Sequence, residues 1–143
     1  MMNPNDLRQQ LRLRTLEEHD DAHMALGAFG SVSATIGDED IEAHASWYDD
    51  TMSGGGKASG LHIRVVVAGG VITLDHEFSM DAYPDAKFIP WSRIRSLSVI
   101  AEPGRQTVVA NAWIETEAGI VEFAGAFRDE FPKVVRAIRQ HLV

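Results

Sequence analysis

The sequence predicts an α+β protein: a mainly antiparallel, bent β-sandwich or partial barrel closed by a C-terminal helix, with an additional helix at the N-terminus. Three observations carry this. Residues 61–78 hold two β-rich runs around a Gly-Gly pair, further β-rich runs continue to residue 124, and Phe131, Val134, Val135, Ile138 and Leu142 recur at helical spacing. A helix with so wide an apolar stripe has to cover something, and nearly everything before it reads as strand.

From the N-terminus, Asp6 to about Glu18 reads as a helix with Asn3 or Asn5 as its cap and Leu7, Leu11 and Leu16 along one side. Its basic residues come first and its acidic ones last, against the macrodipole, so it needs something to dock on. Gly27 and Gly30 read as its end. Residues 1–27 are therefore taken as an N-terminal helical extension and 28–143 as the β domain with its closing helix. The small and β-branched residues from Ala28 to Ile36 predict a first strand. After the acidic turn Asp38-Glu39-Asp40, the run Ile41 to Asp50 predicts a second, half-buried one.

The loop Ser53-Gly54-Gly55-Gly56-Lys57-Ala58 lacks the Ser or Thr and the following helix of a phosphate-binding loop, and reads as a hairpin connection. In the hairpin that follows, a turn at Gly69-Gly70 sets Val67 against Ile72, Val65 against Leu74 and Ile63 against His76 on one face. The other face then pairs Arg64 with Asp75 and His62 with Glu77, opposite charges in both cases. Asp75, His76 and Glu77 alternate sides, so they do not form a ligand set. Downstream, Pro90 marks a strand end and Trp91-Ser92-Arg93 a tight turn. Strands follow at Arg95 to Ala101, Thr107 to Thr116 and Ile120 to Ala124, then the closing helix.

A chain of 143 residues with 45% hydrophobic composition buries a core without staples, and it contains no cysteine. That removes disulfides and thiolate chemistry and fits a reducing compartment, so the expected location is cytoplasmic. The formal net charge of −8 argues against nucleic acid and anionic membranes as partners.

The Ile89-Pro90-Trp91 step followed by Ile94 and Leu97, the hairpin carrying Ile114, Thr116, Gly119, Val121 and Phe123, and the closing helix together resemble the bacterial pleckstrin-homology-like domains. The likeness covers Ala28 to Val143. It implies seven strands in a bent sandwich with the helix plugging one end, and a role as a binding module. Some such domains bind phosphoinositides through basic residues around the loop joining the first two strands. The region assigned to that loop here carries Asp38, Glu39 and Asp40, so phosphoinositide or membrane binding is not expected.

His19 and His23, four apart among acidic residues, lack the Glu after the first His that a zinc-protease helix carries, so no metal or other cofactor is expected. Trp47, Tyr48, Asp49 and Asp50 are the cleft candidates, with paired carboxylates beside two aromatic rings. Lys133, Arg136 and Arg139 form a basic stripe opposite the apolar face of the last helix, the candidate partner-binding surface. The expected function is a non-catalytic interaction module, not an enzyme, that self-associates or binds a protein partner. The alternative is a small-molecule- or metal-dependent activity in a cleft near Trp47 to Asp50. At least one of Trp47, Trp91 and Trp113 should be partly exposed.

Overall fold

Two antiparallel sheets and three helices make up the computed structural model, which describes residues 3–11, 19–50, 58–78, 83–103, 108–124 and 130–142. The elements are α1 (Pro4–Gln10), α2 (His19–Ile36), β1 (Ala43–Asp50), β2 (Ala58–Val67), β3 (Gly70–Glu77), β4 (Lys87–Pro90), β5 (Ile94–Pro103), β6 (Val108–Thr116), β7 (Gly119–Ala124) and α3 (Glu130–His141), with a 3-10 turn at Trp91–Arg93 before β5. Strands β1-β2-β3-β4 form one sheet in that order and β5-β6-β7 the other. The α+β class, the antiparallel sheets and the C-terminal helix are as expected, and the two sheets do not close into a barrel.

The four-stranded sheet is covered on both sides. Leu61, Ile63, Val65, Ile72 and Leu74 point one way, onto Leu7 and Leu11 and the Phe29, Val32 and Ile36 row of α2. Val66, Val71, Ala43 and Ala45 point the other way, onto Ile114 and Phe123 of the second sheet and Phe131, Val134 and Ile138 of α3. Burial on both faces explains the unbroken Val65-Val66-Val67 run, since a one-sided sheet would alternate.

The expected strand at Ala28 to Ile36 is helix instead. Ala25, Ala28, Phe29, Val32 and Ile36 are all buried and fall at i, i+3, i+4, i+7 and i+11. That stripe outweighs the two interior glycines, Gly27 and Gly30, which cost about 1 kcal/mol each against alanine. At the N-terminus, Asn3 caps α1 as expected, its Oδ1 accepting from the Asp6 N–H at 2.9 Å, and Leu7 and Leu11 are fully buried. The helix is shorter than predicted, ending at Gln10, and Leu16 lies outside the described residues.

The hairpin differs by two residues. Its loop is Ala68-Gly69, so Val65 pairs with Ile72, Ile63 with Leu74 and His62 with Asp75. The cause is β4, whose Pro90 pairs with Gly70. A Cβ on Gly70 would stand 2.1 Å from the Ile89 carbonyl oxygen, so only glycine fits where β4 crosses, and it belongs in the strand. A two-residue shift keeps every side chain on its predicted face.

Helix α3 docks much as its pattern predicts, with Phe131, Val134 and Ile138 buried and Val135 and Leu142 half-buried. Its end is pinned. The His141 ring stacks on Trp91 at 4.3 Å between centroids, His141 Nε2 meets the Glu42 carboxylate at 2.9 Å, and Trp91 Nε1 donates to the Ala68 carbonyl at 2.9 Å. All three tryptophans are partly exposed.

Candidate functional site

Three neighbouring strands bring Trp47, His62 and Asp75 into one row, because Trp47 pairs with His62 and His62 with Asp75. All three face the second sheet. Asp49 lies two residues further along β1, opposite Gly60, whose missing side chain leaves its carboxylate room to turn toward His62. Arg64 lies two residues along β2 in the other direction.

Asp49, His62, Asp75 and Arg64 form a continuous chain of hydrogen bonds. His62 Nε2 meets Asp49 Oδ2 at 2.6 Å and Nδ1 meets Asp75 Oδ1 at 2.5 Å. An ionised carboxylate only accepts, so both ring nitrogens carry protons and His62 is an imidazolium. Burial pulls its pKa down, but the bonds to Asp75 and Asp49 and the charges behind them outweigh that, and the net shift is upward. For Asp75, burial pushes upward, while the bond from His62 and the charge of Arg64 bring its pKa down to about 2. Trp47 stacks on the His62 ring, centroids 4.8 Å apart, and the Arg64 guanidinium lies 5.3 Å from the Trp47 ring centre.

Arg64 is 4% exposed. Its Nε donates to the Glu122 carbonyl at 2.8 Å, Nη1 to the Ile63 and Leu74 carbonyls at 3.0 and 3.1 Å, and Nη2 to Asp75 Oδ1 at 2.8 Å. One side chain thus ties β2 and β3 to β7 of the other sheet.

Above the row lies an open trough between the first sheet and β7. Its two parts, about 500 and 320 Å³, share Asp75, Ile120 and Val121. The larger holds Trp47, Asp49, His62, Arg64 and Glu122. The smaller runs on past Thr73 to Lys87, Phe88 and Arg93, with the β6–β7 turn and Glu117 on its other side.

The sequence-predicted candidates divide here. Trp47 and Asp49 line the trough, whereas Tyr48 points to the opposite face, against the core under the helices. The Asp50 side chain lies outside the described residues, as do those of His19 and His23 on α2 and the whole glycine loop to Lys57. Lys133, Arg136 and Arg139 are exposed on α3 and none lines the trough. Asp38, Glu39 and Asp40 precede β1, so the loop joining the first two strands is residues 51–57, outside the described residues. The acidic run therefore says nothing about that loop. Among the described residues no cluster of three or more His, Asp or Glu is arranged to hold a metal, and no helix is long and apolar enough to cross a membrane. Sequence reasoning found the Arg64 and Asp75 pair but missed that Asp49 and His62 join it.

The row makes stability depend on pH. A histidine whose folded pKa is raised contributes stability that is complete below its unfolded value of 6.5 and is lost as pH rises through the folded value. His76, buried beside Phe78, has the opposite sign: burial lowers its pKa, so folding weakens as pH falls below 6.5. Urea midpoints measured from pH 5 to 9 should therefore fall on the alkaline side in the wild type. His62→Gln should flatten that limb and leave the acid limb in place.

No protein-family model, no curated protein and no solved structure matches the chain.

Proposed function

We propose that this chain is a non-catalytic binding module whose trough between the sheets receives part of a protein partner. The observation that carries this is the bonding of His62. A histidine with both N–H groups given to carboxylates is not a base, and Arg64 has four of its five N–H groups engaged within the fold. The groups with the chemistry to catalyse are spent joining strands, while the trough they floor stays open. The seven strands and the helix that follows them agree in order with the pleckstrin-homology-like resemblance, and a binding role is what that resemblance implies.

A phage-displayed library of random dodecapeptides, panned on the full chain, tests the proposal. Lys87 and Arg93 are exposed on the trough rim, so reversing both to glutamate spares the fold. Selected peptides should bind this double variant about tenfold more weakly, as loss of one or two charge-assisted contacts predicts. If Arg136→Glu with Arg139→Glu abolishes binding instead, the partner surface is the exposed face of α3 and the trough reading is wrong.

A further inference from the structure

We propose that the partner enters the trough as an extended strand, added antiparallel to the free edge of β7, with a basic residue toward its N-terminal end and an acidic residue toward its C-terminal end. This rests on the binding reading above.

The edge is identified by hydrogen bonding. Thr116 and Gly119 close the β6–β7 hairpin, and Glu115 pairs with Ile120 and Trp113 with Glu122. The Glu122 carbonyl accepts from Arg64, so it points away from β6 and toward the first sheet. Backbone groups two residues apart in a strand point the same way, so the N–H and C=O of Ile120 also face outward, along the trough. Arg64 Nε, at 2.8 Å, already stands where the N–H of a neighbouring strand would stand at Glu122. The fold thus closes one acceptor of this edge with a side chain. The donor and acceptor of Ile120 lie in line with it, without a partner among the described residues. Ile120 is 72% exposed, a β-branched residue ready for a cross-strand neighbour.

For an antiparallel segment, charge sets the order of its residues. Where β7 begins, the rim carries Lys87 and Arg93 against Glu117; where it reaches Glu122, the exposed charge of the trough is the Asp49 carboxylate, while His62 and Arg64 give their N–H groups to Asp49, Asp75 and the backbone. An antiparallel segment paired at Ile120 comes from the Asp49 end past Arg64, which keeps the edge position at Glu122, and runs on to the Lys87 end. A basic residue early and an acidic residue late then meet opposite charges.

Ile120→Pro removes only an outward N–H, and proline is tolerated at a strand edge where that group faces solvent. With the peptides selected above, Ile120→Pro should weaken binding about tenfold, the effect of one backbone hydrogen bond and a blocked approach, and Ile120→Val should leave it unchanged. The selected sequences should show the basic-to-acidic order. Should proline shift the unfolding midpoint, hydrogen exchange on the wild type decides instead, with the Ile120 amide slowing on peptide addition. Peptide affinity within twofold in Ile120→Pro, or unchanged Ile120 exchange, overturns strand addition. The trough reading then still stands wherever the Lys87 and Arg93 reversal weakens binding. A library that yields no binder overturns both.

Discussion

Replacing Arg64 with methionine should destabilise the protein by about 3–5 kcal/mol, the usual cost of removing one partner from a buried charged network. Methionine keeps the unbranched stem only as far as the position of Nε, so the loss comes from the missing guanidinium and the groups it leaves behind. The Glu122, Ile63 and Leu74 carbonyls lose a donor, and Asp75 keeps only His62. Against a total stability of roughly 5–15 kcal/mol this is a large fraction, easily read from urea unfolding at neutral pH. Arg64→Lys should recover less than half of it, because an ammonium on a flexible stem does not reproduce a planar fork that reaches three strands. A lysine variant as stable as the wild type would show that the charge alone matters and that the tie to β7 does not.

Gly70→Ala is the second large effect. The added carbon would lie 2.1 Å from the Ile89 carbonyl oxygen and 2.9 Å from Pro90 Cα, all backbone, so β4 has to move off the sheet. Overpacking of this kind should cost about 3 kcal/mol or more. Gly69→Ala is the control. There the nearest atoms are Phe88 Cζ at 3.2 Å and Glu39 Oε1 at 3.3 Å, both ends of side chains that can swing away. Thermal melts should separate the two, with Gly69→Ala within about 1 kcal/mol of wild type. Similar losses in both would mean that the hairpin loop, not the β4 crossing, holds this register.

Much of this architecture was legible because it depends on local alternation. The two faces of β2 and β3 and the buried stripe of α3 follow from side-chain period alone, which neighbours in space do not change, and the turn at Trp91–Arg93 follows from Pro90 before it. The hairpin register was not legible, since the residue that fixes it, Ile89, lies on a later strand. Helix α2 was missed although its stripe is plainly periodic. Two glycines, two serines and one threonine inside it carry turn and strand preferences, and the cover offered by β2 and β3 overrides them. For the site, Asp49 and Asp75 flank His62 from strands on either side of β2. Their meeting needs both registers at once, and the first of them contains an irregularity at Asp49–Asp50 that no local pattern announces.

The sheet that is walled on both sides also sets an order of events during synthesis. Helix α2 leaves the ribosome with Phe29, Val32 and Ile36 already made, yet the surface that hides them, on β2 and β3, is complete only after Leu74 has emerged. The opposite wall waits longer, until Phe123 and then Ile138 arrive. A nascent chain of this protein therefore carries an uncovered apolar helix until Leu74 emerges, then a half-covered sheet until α3 is free. Apolar surface left uncovered in this way during synthesis is what chaperones shield.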